Sequence, residues 1–222
     1  MRPFEEELNS LNDILREMGG LVAQSIHRSV LSLVEKNEDY AHQVLRDESR
    51  INALEIQVDD LATTLIVRES PVAGDMRFVV GAIKINTDLE RMGDMAVGIV
   101  ERSLAAMRQP ELPMDVSFTE MGNLVESMVL TCLDAFVQRD AKLARTVLTS
   151  DDAVDKLRNT LTRQMVDLMK QDPASVERAL DYILIARRLE RIADHATNVA
   201  EDVIFMVKGI DVRHRQADAA QV

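Results

Sequence analysis

The sequence predicts an all-α protein built as two tandem three-helix bundle repeats, and three observations lead to this prediction. The 222 residues are 46% hydrophobic but only 3% aromatic, which favours packed helices over sheets. None of the five prolines interrupts a stretch of helical periodicity. Two stretches one hundred residues apart, DLERMGDMAVGIVE from Asp88 and RLERIADHATNVAE from Arg188, carry nearly the same helical pattern.

Six helices follow from the prolines and from two weaker breaks, EKNEDY at Glu35 and QRDAK at Gln138. We predict them at residues 5–36, 39–69, 75–108, 115–138, 141–171 and 174–208. Helices of about 30 residues are on the order of 45 Å long, and their apolar faces need neighbours. In the third helix the apolar seam is Ile85, Leu89, Met92, Ala96 and Ile99. In the sixth it is Ile185, Leu189, Ile192, Ala196, Val199, Val203 and Met206.

The repeat extends beyond the third helix of each half. At an offset of 103, Met18 and Gly19 recur as Met121 and Gly122, and Asn37 aligns with Asp140. The third helices align at an offset of 100 because the second copy is shorter in a predicted loop, where deletions are tolerated. We therefore predict one repeat in residues 1–110, a second in 111–210 and a frayed tail in 211–222.

Composition narrows the class of function. The formal charge of −12 opposes direct binding to nucleic acid and favours cations or a basic protein surface. The single cysteine, Cys132, excludes an internal disulfide, suits a reducing compartment and is expected in the core. The amino terminus lacks the apolar stretch of a signal peptide, and the apolar runs are too short to span a membrane, so we predict a cytoplasmic protein.

A stripe of carboxylates accompanies each repeated helix. A helix turns about 100 degrees per residue, so Glu90, Asp94 and Glu101 share one side, roughly opposite the apolar seam. Glu190 and Asp194, with Glu201, repeat this arrangement. We expect these side chains to face solvent or another subunit.

Two interpretations of the stripe remain open. It is an ordinary solvated face if Arg91 and Arg191 form surface ion pairs with Asp94 and Asp194, three residues later in each case. However, carboxylates four residues apart repel each other, so a pair kept in both copies favours a bound hard cation. The matched positions on the preceding helix offer further candidate ligands: Glu48, Asp151 and Asp155.

Two other functional classes compete with a cation-binding protein. In a purely structural helical scaffold, the carboxylates would only keep the helix face solvated. A carboxylate-bridged bundle metalloenzyme normally uses Glu-x-x-His pairs, whereas His195 follows Glu190 by five residues and Met95 takes its place in the first copy. We therefore expect His195 to be a surface residue beside the acidic stripe.

Three stretches carry a resemblance to a known family: KINTDLERMGDMAVGIVER from Lys84, LIARRLERIADHATNVAED from Leu184 and ESPVAGDMRF from Glu69. Together they resemble the PhoU family of phosphate-transport-system regulatory proteins, and the resemblance covers about residues 4–208. It implies a non-enzymatic negative regulator of the phosphate-starvation response and of phosphate uptake. It also implies an adaptor between the ATPase of the phosphate ABC transporter and a membrane-bound sensor histidine kinase, with membrane association only through these partners.

The resemblance also implies metal clusters held by an E(D)xxxD motif. The motif falls on Glu90 with Asp94 and on Glu190 with Asp194, and the ions would be iron, zinc, magnesium or manganese. Because Asp88 becomes Arg188 in the second copy, we expect the two sites to differ in charge, with Asp202 as a possible compensation. Long helices with Met-rich flanks favour a homodimer.

Overall fold

The fold of the computed structural model is described for residues 3–112 and 118–213, and within these ranges it is all-α, as predicted. The helices are α1 (Pro3–Glu35), α2 (Glu38–Glu69), α3 (Ala73–Met107), α4 (Phe118–Gln138), α5 (Ala141–Leu148), α6 (Asp151–Gln171) and α7 (Val176–Lys208), with a 3₁₀ turn at Pro173–Ser175. The predicted helix start at residue 115 and most of the predicted tail, residues 214–222, lie outside the described residues. The predicted domain boundaries stay predictions.

The fifth predicted helix is interrupted at Thr149 and Ser150, which separate α5 from α6. Both residues keep right-handed helical dihedral angles, so the interruption is local. The hydroxyls of Thr149 and Ser150 donate to the carbonyl of Thr146, at 2.8 and 3.1 Å. Such bonds from Ser and Thr to the preceding turn bend helices, which explains a break that apolar periodicity alone does not predict.

The loop that joins the first helix of each repeat to the next helix is built in the same way in both repeats. Lys36 and Arg139, at equivalent positions, both have a φ of 52°. The next residue caps the following helix: Asn37 Oδ1 accepts from the amide of Asp39, and Asp140 Oδ1 accepts from that of Lys142. Asn and Asp are preferred at this position because their side chains satisfy amides that have no partner within the helix.

The two repeats pack together chiefly through α3 and α7, and a second contact joins α1 to α4. Side-chain pairs such as Lys84 with Asp202 and Arg102 with Asp181 show that α3 and α7 run antiparallel, since one residue number rises as the other falls. The predicted apolar seams of both helices are buried. None of the helices in the described part of the chain is long and apolar enough to cross a membrane.

The contact between α1 and α4 is symmetric under exchange of the repeats. A Cβ at Gly122 would lie 2.8 Å from a methyl group of Val30, and a Cβ at Gly19 would overlap the side chain of Leu133. Gly122 is the repeat equivalent of Gly19, and Leu133 is that of Val30, at the same offset of 103. The two glycines therefore allow these helices to approach closely. The two glycine contacts are equivalent under exchange of the repeats.

We expect Gly122→Ala to lower the free energy of unfolding by about 1–3 kcal/mol, because the new methyl group overpacks against the stiff side chain of Val30. Gly20→Ala is the matched control, since a Cβ at Gly20 meets no atom within 4 Å. It should stabilise the protein by about 0.5–1 kcal/mol through helix propensity. Urea unfolding measures both changes, and equal effects of the two substitutions would contradict the close approach.

Candidate functional site

Two helices bring together a first carboxylate cluster, which consists of Glu55 and Asp59 of α2 with Glu90 and Asp94 of α3. The buried amide of Asn86 holds the two helices in register. Its Nδ2 donates to the carbonyl oxygen of Glu55 at 3.1 Å and to Asp59 Oδ1 at 3.0 Å. The contact between α2 and α3 therefore fixes the relative positions of the helices that carry the cluster.

The pKa values in this cluster reflect burial and mutual repulsion. Burial raises the pKa of Glu90, and the charges of Asp94 and Glu55 and a hydrogen bond to Asp94 raise it further, while Arg91 opposes the shift. Burial, Asp59 and Asp94 likewise raise the pKa of Glu55. Both shifts mean that negative charge here is costly unless a cation neutralises it.

A second carboxylate cluster lies at the corresponding place in the second repeat. It consists of Asp151 and Asp155 of α6 with Glu190 and Asp194 of α7. Burial, followed by the charges of the other three carboxylates, raises the pKa of Asp194 to about 6. Burial and neighbouring carboxylates also raise the pKa of Asp151.

One cation distinguishes the second cluster from the first. Arg158 Nη2 lies 3.3 Å from Asp155 Oδ1 and 3.4 Å from Glu190 Oε1, so part of the negative charge is already compensated. At the repeat offset of 103, Arg158 occupies the position of Glu55. The divergence between copies therefore replaces a carboxylate with a cation.

The predicted site residues fall into four places. As predicted, the carboxylates of both stripes lie outside the core, since each is either exposed or only partly buried. Glu90 with Asp94, and Glu190 with Asp194, belong to the two clusters, and Asp151 and Asp155 join the second. Glu48 and Glu101 line a cleft with Asp94, while Glu201 adds to the negative charge near Arg213.

Repeat matching did not point to Glu55 and Asp59. Their positions in the second repeat are occupied by Arg158 and Thr162, so neither recurs as an acid. Their spacing of four residues in EIQVD does match Glu90 and Asp94 on the neighbouring helix. That spacing was the available signal in the sequence.

The carboxylates are close enough to interact but are not arranged as a closed coordination shell. Over residues 3–112 and 118–213, no three His, Cys, Asp or Glu side chains form a group that could hold a metal ion as they stand. The donor set is nevertheless all oxygen, which suits hard cations.

The prediction that His195 is a surface residue is wrong. The side chain is buried, and its Nδ1 lies 2.7 Å from Asp88 Oδ1. Asp202, expected to compensate the second cluster, is instead buried in an ion pair with Lys84 at 2.8 Å. The reason in both cases is that α3 and α7 cover each other, so these side chains lie between the repeats.

Cys132 is buried in the core, as expected, and burial raises the pKa of its thiol. A thiol that is protonated and inaccessible to solvent is a weak nucleophile and a weak metal ligand. It is therefore a core residue rather than part of either cluster.

Arginines line the cleft between α3 and α7 instead of forming the surface ion pairs considered above. The cleft has a volume of about 490 Å³ and includes Arg91, Arg188 and Arg191. In the described part of the chain, none of the three makes a hydrogen bond or an ion pair. Arg188 therefore contributes to this cleft and not to the second carboxylate cluster.

We expect Asp194→Asn to stabilise the metal-free protein by about 1 kcal/mol at pH 7.5, after allowance for solvent screening of an exposed carboxylate. Folding raises the pKa of Asp194 from 3.8 to about 6. The protonated group therefore favours the folded state fully below pH 3.8, and this contribution is lost as the pH rises through about 6. The gain from Asn should accordingly vanish near pH 4.

Urea unfolding with a chelator at the two pH values measures this gain. Asp13→Asn, at an exposed carboxylate of α1 outside both clusters, makes the same charge change as a control. A gain from Asp194→Asn that is the same at both pH values would show that the clustered carboxylates do not raise its pKa.

Comparison with known proteins places this architecture in a family. The sequence model described as the PhoU domain matches twice, over residues 15–103 and 118–203. The chain is 38% identical over 212 residues to the phosphate-specific transport system accessory protein PhoU homolog of Pseudomonas putida, which covers 95% of this chain and 83% of that protein.

Two crystal structures agree with this assignment. PhoU from Pseudomonas aeruginosa matches with a TM-score of 0.90 at 36% identity, covering 93% of this chain and 100% of that chain. The phosphate transport system regulatory protein PhoU from Streptococcus pneumoniae matches with a TM-score of 0.81 at 28% identity, covering 94% and 99%. Sequence and fold thus agree over nearly the whole length, and the chain belongs to the PhoU family, with one PhoU domain in each half.

Proposed function

We propose that this protein is a negative regulator of the phosphate-starvation response and of phosphate uptake, acting as an adaptor between the ATPase of a phosphate ABC transporter and a sensor histidine kinase. Membership of the PhoU family supports this role, because the Pseudomonas putida relative is named a transport system accessory protein and the Streptococcus pneumoniae structure a regulatory protein. The pair of exposed carboxylate clusters carries the further proposal that the regulator binds metal ions.

Each cluster has its own set of ligands in this proposal. Glu90, Asp94, Glu55 and Asp59 would hold an ion in the first. In the second cluster the ligands would be Glu190, Asp194, Asp151 and Asp155. The raised pKa values support cation binding, since a bound ion would compensate the repulsion that raises them. Carboxylate side chains would have to turn toward the ion, which exposed helix faces permit.

The first cluster is the stronger candidate for iron, zinc, magnesium or manganese. Arg158 already neutralises part of the second cluster through Asp155 and Glu190. A cation binding there must displace or tolerate the guanidinium, which costs Coulomb energy. We propose that the first cluster binds the ion more tightly.

The proposed role is that of an adaptor and not of an enzyme. The imidazole of His195 is buried against Asp88 and is therefore not offered to a metal ion beside the carboxylates. His195 also follows Glu190 by five residues, so these two side chains do not form the inward Glu-x-x-His pair that a di-iron bundle enzyme normally uses. This observation favours the regulator over the metalloenzyme.

The remaining parts of the proposal are the location and the partners. A chain with a net charge of −12 is suited to docking on basic protein surfaces and poorly suited to nucleic acid. We propose that it acts in the cytoplasm as a homodimer and reaches the membrane through the transporter and the kinase.

Metal analysis of protein purified without chelator tests the clusters. We expect Asp94→Asn with Asp194→Asn to lower metal affinity by at least about tenfold, because each cluster loses a charged ligand. Asp13→Asn with Asp134→Asn changes two exposed carboxylates outside the clusters and should retain metal. Arg158→Gln should tighten binding at the second cluster. Equal metal content in all variants would favour a purely structural scaffold.

Regulation is tested by a reporter of phosphate-responsive transcription in a deletion strain. We expect constitutive expression in high phosphate without the protein, and restored repression when the wild-type chain is supplied. Repression that persists in the deletion strain would contradict the proposed function. Full complementation by the Asp94→Asn, Asp194→Asn variant would show that regulation does not require metal binding, and the adaptor role would still stand.

A further inference from the structure

The cleft between α3 and α7 is built by both repeats. Its lining includes Arg91, Gly98 and Glu101 from α3 and Arg188 and Arg191 from α7. Arg91 and Arg191 occupy equivalent positions of the two copies, one hundred residues apart. Because α3 and α7 run antiparallel, these two equivalent arginines line the same cleft. The duplication therefore supplies one arginine from each repeat.

The third arginine is accommodated by a glycine. A Cβ at residue 98 would overlap the guanidinium of Arg188, so Gly98 leaves the space in which that group lies. Arg188 is only partly exposed, and so its position is set by packing as well as by charge. The absence of a side chain at Gly98 therefore places the guanidinium in the cleft.

The hydrogen-bonding capacity of these arginines is unused within the described residues. Each guanidinium carries five N–H donors in a planar fork, and none of the three arginines donates to a described protein acceptor. Such forks match pairs of oxygens on carboxylates and phosphates. All three arginines line one cleft of about 490 Å³, which has room for an oxyanion.

Three carboxylates line the same cleft and narrow the choice of anion. Glu48, Asp94 and Glu101 balance the three arginines, so net charge alone does not attract an anion. A carboxylate accepts hydrogen bonds and repels an anion that has no hydrogen to donate. Inorganic phosphate keeps at least one P–O–H hydrogen at neutral pH, whereas sulfate has none.

We propose that this cleft binds inorganic hydrogen phosphate. Arg91, Arg188 and Arg191 donate to its oxygens, and a carboxylate of the cleft accepts its P–O–H hydrogen. Binding is non-covalent and requires neither a metal ion nor a partner protein. The inference therefore goes beyond the proposed regulatory function and can fail independently of it.

Calorimetric titration of purified full-length protein with sodium phosphate tests the site, with chelator present and ionic strength held constant. We expect saturable binding that Arg188→Gln weakens by at least about tenfold, because charge-assisted hydrogen bonds are lost. Arg187→Gln, at the exposed neighbouring residue, makes the same charge change outside the lining of the cleft and should bind like the wild type. Gly98→Ala should weaken binding without changing any charge, because the new methyl group displaces the guanidinium.

Thermal melting of each variant verifies that it is folded, and sulfate at the same concentrations tests the role of the carboxylates. We expect sulfate to bind at least about tenfold more weakly than phosphate. Sulfate has no hydrogen to donate to the carboxylates of the cleft, and its negative charge is repelled by theirs. Absence of phosphate binding, equal binding of sulfate, or an equal loss with Arg187→Gln and Arg188→Gln would each overturn the proposal.

Discussion

The antiparallel packing of α3 against α7 is the constraint on which the rest of the molecule depends. These helices are the equivalent members of the two repeats, and each is buried against its own repeat and against the other. Polar pairs along the contact, including Asp88 with His195 and Lys84 with Asp202, fix its register. Buried polar groups are costly without partners, so a shift of one helix along the other would break several pairs together.

This contact buries one face of α3 and of α7 and leaves their carboxylate stripes outside it. In α3, Glu90 and Asp94 remain at the edge facing α2, where Glu55 and Asp59 complete the first carboxylate cluster. The corresponding edge of α7 faces α6. The outer helices thus complete sites whose first ligands lie on the central pair, and the charge of each site can change without disturbing the contact between repeats.

Equivalent positions of the two copies carry different charges, although the second copy keeps the helix packing of the first apart from the break between α5 and α6. The equivalents of Asp88 and Glu55 are Arg188 and Arg158. Arg158 neutralises part of the second carboxylate cluster, and Arg188 enters the cleft above Gly98. A duplicated scaffold has therefore acquired an unequal distribution of charge on related faces, with one cluster poorer in cations than the other.

The sequence by itself determined the helical class, the two repeats, the apolar seams and most helix ends. These features depend on local periodicity, on proline, and on capping residues such as Asn37 and Asp140, whose effects act within a few residues. It also determined that Glu90 and Asp94 lie outside the core. Only the tertiary structure decided that His195 pairs with Asp88, that Glu55 joins the first cluster and that three arginines share one cleft. Each of these depends on which side chains meet across separate helices, and helical periodicity gives the face of a residue but not the neighbour that covers it.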